Sequence, residues 1–412
     1  MAHLLVVELP GGNDVDILVA AETRGDTFSF LTADLPHYQR QPDVWIWVSK
    51  ARHFIDAHDF SSTYLNPLLQ ALHERDPFDA VLCLQDIRLV ETSCLAKNLN
   101  LTYLNPQTAH CLRDKYLVRQ KLAQAGIDQP EFELATNEAE LKQAVHRMGL
   151  PVLIKPADGF GSQNVIALQT PFDLHLWLMP LDMNLPNNQD YGLGVKATQR
   201  MLVERFMIGS VIGCDTFSQN GKHQLLGVNQ KVFFDPPSFA IKGGCFSPNV
   251  GQFPDLQEYL EKLLNAVEFD VGAAHIEIMV TEYGFRLIEI NPRLVGARIA
   301  RLISYALGCS VHQQLIALHL GMLPQFHGLH QFTSTRWLVA EREGSIEELT
   351  FPSYSPEGVL ESKMFKTTGD FVRRPIENVD RIGYVMTAGD SPEKANAIAE
   401  NWISKCEIKY KN

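Results

Sequence analysis

The sequence predicts a mixed α/β protein, with a parallel α/β domain first and an α+β arrangement in its C-terminal part. Three observations lead to this prediction. Strand and helix patterns alternate over roughly the first 100 residues, which favours a parallel sheet. Antiparallel hairpin patterns follow, one around Asn220-Gly221 and one over residues 275–291. From about residue 330 the chain becomes rich in strand-forming residues before a last helix.

Composition narrows the class of protein. The 412 residues suffice for about three domains, and 45% hydrophobic with 20% charged residues is typical of a globular protein. A net charge of −12 argues against nucleic acid or an anionic membrane as the main partner. The apolar opening Leu4 to Leu9 is too short for a signal peptide, and no run of about 18 apolar residues occurs, so a cytoplasmic protein is expected. Seven scattered cysteines without a Cys-x-x-Cys pair indicate reduced thiols.

The N-terminal third carries the alternating elements. The pair Gly11-Gly12 lacks the rest of the Gly-x-Gly-x-x-Gly pattern, which disfavours a dinucleotide-binding turn. Lys115 lies on a strong helical pattern that ends at Gly126, and such a lysine is usually a solvated side chain. The predicted elements are strands at 3–9, 44–48, 80–84 and 101–104 and helices at 88–98, 107–126 and 138–148.

A strand, a glycine loop and a second strand follow, over residues 151–168. The loop contains Gly159, Gly161 and Ser162, and Lys155 ends the first strand. The Gly-Lys-Ser/Thr signature is absent, so the loop would be a phosphate cradle of another kind, in which backbone N–H groups and Lys155 contact the phosphate oxygens. A plain hairpin turn would also explain the glycines. It explains the lysine less well, because a buried strand disfavours an unpaired ammonium group.

The remaining elements lead into and out of a central hairpin. Residues 235–244 are predicted to form a loop, in which Gly243 and Gly244 indicate close backbone approach to a ligand or a mobile segment. Arg298 lies on the helix predicted after the hairpin, and Asp390 or Ser391 would cap the last helix. The predicted elements are strands at 201–209, 214–218 and 224–231 and helices at 256–269, 294–307, 312–321 and 393–404.

The central hairpin spans residues 275–293, and its register follows if the turn is centred on Tyr283. One face is then apolar and would lie on a core, whereas the other carries two carboxylates. The predicted facing pairs are His275 with Asn291, Glu277 with Glu289, Ile276 with Ile290 and Ile278 with Ile288.

The two facing carboxylates, Glu277 and Glu289, require a positive partner. At about 5 Å and an effective dielectric constant of about 20 they repel by about 3 kcal/mol. Carboxylates together with the Asn291 carbonyl suit Mg²⁺, which keeps its other positions for water and nucleotide phosphates. A solvated polar face is the ordinary alternative for a hairpin. The Pro-Arg pair ending at Arg293, with the lysines and glycine loop upstream, favours the metal.

The order of these motifs resembles that of the ATP-grasp superfamily. It runs from the helix lysine to the lysine before a glycine loop, then to the Val-Glu-x-Phe strand, and ends at the hairpin with Glu and Glu-x-Asn-Pro-Arg. The hairpin and the tail over residues 382–389 are similar to those of bacterial L-amino acid ligases and related carboxylate–amine ligases. The resemblance covers about residues 95–408 and implies an ATP-grasp fold. The implied domains are a Rossmann-like N-terminal domain (1–108), a subdomain with the glycine-loop lid (109–199), a subdomain with the metal site (200–325) and a C-terminal β-rich subdomain (326–412).

The resemblance also implies a role for individual residues. ATP phosphates would contact two lysines, the glycine loop and a third lysine, while adenine would lie against the Val-Glu-x-Phe strand. Arg293 would face the transferred phosphoryl group, and His275 shares its face with the metal ligands. The implied sites are ATP-binding Lys115, Lys155, Gly159, Gly161, Ser162, Val203, Glu204, Phe206 and Lys231, metal-binding Glu277, Glu289 and Asn291, catalytic Arg293 and His275, and substrate-binding Gly243, Gly244 and Arg298.

Three positions depart from the family pattern. Val211 stands where a ribose-binding Glu is common, so another group must bind ribose. Asn164 replaces a glycine of the loop, which would stiffen the lid. Ile241 or Lys242 takes the place of an acidic residue found in many amino acid ligases, and this change suits a more acidic carboxylate substrate.

The function implied is an ATP-dependent carboxylate–amine ligase that uses ATP and Mg²⁺, with Mn²⁺ as an alternative metal. It would activate a small-molecule carboxylate as an acyl phosphate, join it to an amine and release ADP and phosphate. A carboxylase-like phosphoryl-transfer enzyme and a non-catalytic nucleotide-binding protein are the alternatives. No biotin-acceptor Met-Lys-Met segment occurs, and the metal ligands, lysines and Arg293 are all present. By analogy with the superfamily we expect a homodimer.

Overall fold

A computed structural model describes residues 1–159, 164–178, 198–234, 241–296, 298–326, 331–352, 356–375 and 380–411. These residues form a mixed α/β structure with four sheets, which confirms the predicted fold class. Gly161 and Ser162 of the glycine loop lie outside the described residues, as do residues 179–197.

The N-terminal region is a parallel sheet with strand order β3-β2-β1-β4 and helices around it. A 3₁₀ turn at Asp86–Arg88 follows its edge strand. The elements are β1 (His3–Val7), α1 (Asp16–Arg24), β2 (Thr27–Thr32), α2 (Leu35–Gln39), α3 (Pro42–Val48), β3 (Phe54–Asp56), α4 (Ser62–Arg75), β4 (Ala80–Cys83), α5 (Leu89–Asn98) and α6 (Pro106–Arg113).

The next region is an antiparallel sheet of order β5-β8-β6-β7 with α8 packed against it. Its elements are α7 (Lys115–Gln124), β5 (Phe132–Ala135), α8 (Glu138–Met148), β6 (Val152–Pro156), β7 (Ile166–Leu168), α9 (Pro171–Leu178) and β8 (Met201–Arg205).

The largest sheet is antiparallel and has eight strands in the order β13-β12-β9-β10-β11-β14-β18-β16, beside a small sheet β17-β15-β19. The strands are β9 (Ser210–Gln219), β10 (Lys222–Phe233), β11 (Ile241–Ser247), β12 (Gly272–Thr281), β13 (Gly284–Asn291), β14 (Phe332–Leu338), β15 (Gly344–Thr350), β16 (Val359–Met364), β17 (Phe371–Val372), β18 (Gly383–Gly389) and β19 (Glu407–Tyr410). The helices are α10 (Leu256–Ala266), α11 (Ile299–Leu307), α12 (Val311–His319) and α13 (Pro392–Ile403).

Two hydrophobic cores cover the two faces of this large sheet. On one face, Ile276 and Leu287 pack with α6, α7 and α10. On the other, Phe246 and Tyr384 share a core with α11, α12 and the N-terminal parallel sheet. The carboxyl ends of the parallel strands and the central hairpin are thereby brought together, and the strands on both sides of residue 325 belong to one sheet.

Four sequence predictions of local structure are wrong. Residues 44–48 form the end of α3 rather than a strand, because Pro42 occupies the first turn and Val44 and Val48 lie four residues apart on one buried helix face. Residues 101–104 form no strand. The helix over 107–126 is two helices broken at Asp114, whose side chain caps α7 by accepting the Tyr116 and Leu117 N–H groups.

The fourth error concerns residues 241–244. They lie in β11 and not in a loop, because they pair with β10 on one side and β14 on the other. The helix after the hairpin also begins later than predicted, at Ile299. Arg298 has a left-handed backbone with φ of 63° and therefore stands outside α11. The last helix is capped by Ser391 with Pro392 at its first position, as predicted.

All seven cysteines are free thiols. No helix in the described ranges has both the length and the apolar character needed to cross a membrane.

Candidate active site

The central hairpin is β12 and β13, and its register at the predicted site is confirmed. His275 faces Asn291, Glu277 faces Glu289, and Ile276 faces Ile290. The prediction that Ile278 faces Ile288 is wrong, because a bulge shifts the register and places Ile278 opposite Leu287. At this bulge the carbonyl groups of Leu287 and Ile288 accept hydrogen bonds from the Arg119 guanidinium, at 2.8 and 3.4 Å.

Lys115 connects the hairpin to the glycine loop. Its Nζ atom donates to the Gly159 carbonyl at 2.5 Å and lies 3.5 Å from Glu289 Oε2. The other oxygen of Glu289 accepts a hydrogen bond from Asn291 Nδ2 at 3.0 Å. These four residues line a common cavity of about 20 Å³. The first lysine, the loop and two of the predicted metal ligands are thus adjacent, although they come from distant parts of the chain.

Lys231 contacts Glu277, just as Lys115 contacts Glu289. Its Nζ atom pairs with Glu277 Oε1, and His275 Nε2 lies 3.7 Å from the same oxygen. Burial raises the pKa of Glu277, but the charge of Lys231 and the hydrogen bonds from His275 and Lys231 outweigh it and hold this pKa well below its usual range. Glu277 is therefore ionised at neutral pH.

His275 is buried and oriented from behind by Asp215, whose Oδ1 lies 3.0 Å from His275 Nδ1. Burial lowers the pKa of His275, whereas the charge and hydrogen bond of Asp215 raise it, as does the hydrogen bond with Glu277, and the net direction is upward. Asp215 was not predicted from the sequence. Its position directly opposite His275 on β9 is a strand pairing that the sequence alone does not define.

The donor set at the hairpin fits Mg²⁺. Two opposed carboxylates each contact a lysine, so the repulsion predicted for this pair is offset by cations that a metal ion could replace. Asn291 uses its amide nitrogen on Glu289, which leaves its carbonyl oxygen for a metal. Over the described ranges no group of three or more His, Cys, Asp or Glu side chains is arranged to hold a metal ion. Mg²⁺ requires only one or two carboxylates, so this result agrees with the assignment.

Lys155 lies in a buried cluster of three charged side chains. Its Nζ atom is 2.6 Å from Glu204 Oε2, and Arg119 Nε is 2.5 Å from Glu204 Oε1. The three side chains are at most 6% exposed. Burial alone would raise the pKa of Glu204, yet Arg119 and Lys155 lower it to about 2. Burial and the nearby Arg119 lower the pKa of Lys155, while Glu204 opposes this shift.

The strand predicted to hold adenine is β8. Val203 is fully buried, and the N–H of Phe206 donates to the Pro151 carbonyl at 3.1 Å. The contact of this strand with adenine stays a prediction. Val211 lies on β9, where it pairs with Met279. Asn164 at the end of the glycine loop has φ of 55°, a conformation that Gly and Asn adopt most readily.

Arg293 is held by a residue that the sequence analysis missed. Asp86, at the carboxyl end of β4, accepts hydrogen bonds from Arg293 Nε at 2.8 Å and Nη2 at 2.5 Å. Burial lowers the pKa of Arg293, but Asp86 raises it further than burial lowers it. An acidic residue just after a parallel strand was the available signal, because ligands of open α/β sheets bind at that edge.

A cavity of about 840 Å³ lies beside Arg293, between the N-terminal sheet, the segment after the hairpin and the C-terminal strands. Arg298, which was predicted to bind substrate, lines this cavity. That role stays a prediction. Gly243 and Gly244 are not among the described lining residues. Their lack of side chains is explained within the sheet, since a Cβ atom would lie 2.3 Å from the Thr335 carbonyl at Gly243 and 2.6 Å from Asn229 Oδ1 at Gly244. Their role in substrate binding stays a prediction.

Comparison with protein families agrees with this geometry. Residues 148–301 match the model of the ATP-grasp domain, and residues 336–411 match the model of L-amino acid ligase C-terminal domain 2. The chain therefore contains an ATP-grasp domain followed by the C-terminal domain 2 of L-amino acid ligases.

Individual relatives are distant. The uncharacterised protein y4rH of Sinorhizobium fredii is 26% identical over 322 residues, which span 76% of this chain and 64% of that protein, or less than two thirds of its length. Dapdiamide A synthase of Enterobacter agglomerans is 24% identical over 315 residues, spanning 73% of this chain and 72% of the synthase. The crystal structure of an L-amino acid ligase from Bacillus licheniformis superposes with a TM-score of 0.79 at 17% identity, covering 100% of this chain and 99% of that one.

Proposed function

We propose that this protein is an ATP-dependent carboxylate–amine ligase that forms an amide bond through an acyl phosphate and releases ADP and phosphate. Its substrates are a small-molecule carboxylic acid and an amine, with ATP as the phosphoryl donor and Mg²⁺ at the hairpin. The observation that carries the proposal is one convergence of groups. Lys115, Gly159 and Glu289 of the hairpin line one small cavity, and Arg293 lines the large one. Asp86, which pairs with Arg293, lines both cavities.

In the first step a carboxylate oxygen of the acid attacks the γ-phosphorus of ATP, and the bond to ADP breaks. Charge on the phosphoryl oxygens must be neutralised, and Lys115, Lys231 and Arg293 are the cations placed around the hairpin to do so. Bound at Glu277, Glu289 and Asn291, Mg²⁺ would supply further neutralisation of phosphate charge.

In the second step the amine nitrogen attacks the acyl carbon, phosphate leaves with the bonding electrons, and the proton lost by the nitrogen passes to the departing phosphate. His275 Nε2 lies 3.7 Å from Glu277 Oε1, and Asp215 fixes the ring nitrogen that faces away from Glu277. We propose that His275 orients Glu277 and the acyl group. The glycine loop around Gly159 would exclude water from the acyl phosphate.

The remaining assignments are part of the same proposal. Lys155, Val203, Glu204 and Phe206 would surround adenine and the inner phosphates, and Gly161 and Ser162 would contribute to phosphate binding. The domain boundaries at residues 108, 199 and 325 and a homodimeric assembly are also proposals. Of the alternatives, a carboxylase is disfavoured because residues 336–411 match an L-amino acid ligase domain.

The function is tested by incubating the protein with ATP, Mg²⁺ and pooled carboxylic acids and amines, and by following nucleotides, phosphate and new masses. ADP and phosphate together with a mass equal to acid plus amine minus water would support the ligase. Formation of AMP, or ATP binding without acid-dependent turnover across broad pools, would contradict it.

Arg293→Ala is expected to lower kcat by about 100-fold to 1000-fold while changing the Kd for ATP little, because this guanidinium would act on the charge that develops during phosphoryl transfer. Stopped-flow and steady-state assays measure the two quantities. Since the substitution leaves Asp86 buried without its partner, the double variant Asp86→Asn with Arg293→Ala is the control. An unchanged kcat in both variants would remove Arg293 from the reaction.

A further inference from the structure

The cavity beside Arg293 has an unusual charge. Among the described residues that line it, five side chains are cationic and three are acidic, an excess of two positive charges in a chain whose net charge is −12. Asp86 is already neutralised by Arg293. The lining residues with charge are Asp14, Asp43, Asp86, Arg293, Arg298, Lys363, Lys366 and Arg381.

Three of these cations, Lys363, Lys366 and Arg381, belong to the C-terminal strands, and we call them the basic wall. The backbone N–H groups of Phe365 and Lys366 approach the Ile382 carbonyl at 2.7 and 3.3 Å, so the end of β16 lies directly beside Arg381. Neither lysine has a carboxylate within 4.0 Å in the ranges that the structure describes. Their charges are therefore available to a ligand.

An apolar surface lies under the basic wall. The Arg381 guanidinium stacks on the Trp337 ring at 3.9 Å from its centroid, and the Trp337 and Phe365 rings stack with centroids 6.3 Å apart. Met364 continues this surface along the cavity. A carbon chain can lie on these side chains while an anionic group at its end contacts the lysines.

From this arrangement we infer that the acid substrate carries a second anionic group, a carboxylate or a phosphate, which the basic wall binds while the reacting carboxylate lies near Arg293. The inference rests on the proposed ligase function and specifies its substrate class. An acid with an ammonium group would bring no net charge to the cavity and would leave its positive excess uncompensated. A volume of about 840 Å³ accommodates such an acid together with the amine.

The test compares acids that differ only in the second charge. Succinic, glutaric and adipic acids are assayed against their monoamides, with a pool of amino acids as amines and release of ADP as the readout. Phosphonocarboxylic acids of matching length distinguish phosphate from carboxylate recognition. We expect kcat/KM to be about 10-fold or more higher for the charged member of each pair that is turned over.

The variant Lys363→Met with Lys366→Met should remove that preference by lowering kcat/KM for the charged acids about 10-fold, to the value of their monoamides. Lys366 should account for the larger share, because Lys363 is exposed and its charge is more strongly screened. Lys222→Met, an exposed lysine at the far hairpin of β10, is the matched control and should retain the preference. Equal or better turnover of neutral acids, unaffected by the double variant, would overturn the inference and leave the ligase intact.

Titration calorimetry with the same acids separates the two proposals. If no acid supports ADP release, the ligase function fails, and binding then decides the inference alone. Binding of dicarboxylic or phosphonocarboxylic acids that is lost in the double variant would support an anion site in the cavity. Absence of binding by every anionic acid would overturn it.

Discussion

Glu289→Gln is expected to reduce substrate-dependent ADP release by at least about 100-fold, while the fold remains intact. Glu289 faces Glu277, contacts Lys115 at 3.5 Å and accepts a hydrogen bond from Asn291. A neutral amide of the same shape would weaken Mg²⁺ binding at the position where phosphate charge must be neutralised. Steady-state rates over a range of Mg²⁺ concentrations measure the loss, which excess Mg²⁺ should partly restore.

The matched control is Glu282→Gln, in the exposed turn of the same hairpin. This variant also removes one negative charge from the hairpin, but at a position outside the proposed metal site. It should therefore leave the rate unchanged. Full activity of Glu289→Gln, with a metal dependence like that of the unmodified protein, would refute the metal assignment.

Glu204→Gln is expected to lower the free energy of unfolding by about 3–5 kcal/mol, the cost of leaving buried cations without their anion. Arg119 and Lys155 both donate to this carboxylate, and an amide presents only one acceptor oxygen to them. Urea unfolding followed by circular dichroism measures the change. Replacing all three side chains by apolar ones, as Arg119→Met, Lys155→Met and Glu204→Leu, should recover much of the loss.

Glu133→Gln is the control for this prediction, because Glu133 lies on the neighbouring strand β5 and pairs with Arg147 of α8 at the surface. Its Arg147 partner is 57% exposed, so less than about 1 kcal/mol should be lost. If Glu204→Gln cost no more than Glu133→Gln, the buried cluster would contribute nothing beyond an ordinary surface pair.

The part of the site that lies on the β12–β13 hairpin was predicted from the alternation of side chains along the sequence. The pairing of Glu277 with Glu289 was predicted from side-chain alternation about a turn centred on Tyr283. In the structure the turn is one residue shorter, and the bulge at Ile288 restores the predicted pairing. Helix α8 and the cap of α13 were predicted for the same reason, because their signals lie within a few residues. The register failed beyond Glu277, since a bulge has no reliable sequence signal.

Contacts between distant segments were not predictable from one sequence. Asp86 and Arg293 are 207 positions apart, and Arg119 and Glu204 are 85 apart. Nothing local to Arg119 distinguishes it from a solvated helix residue. The strand prediction at Val44 to Val48 failed through a different cause, because tertiary burial of one helix face outweighed the strand preference of valine and tryptophan.

The continuity of the eight-stranded sheet has a consequence for engineering. β11 precedes the boundary near residue 325 and β14 follows it, yet the two strands are hydrogen-bonded neighbours. A truncation at this boundary would expose the full edge of β11 to pairing with other chains. Exchanging the C-terminal segment with that of a relative, in order to transfer substrate preference, is therefore a graft onto a sheet edge. Its success depends on the match between β14 and the glycines of β11, which leave no space for a shifted register.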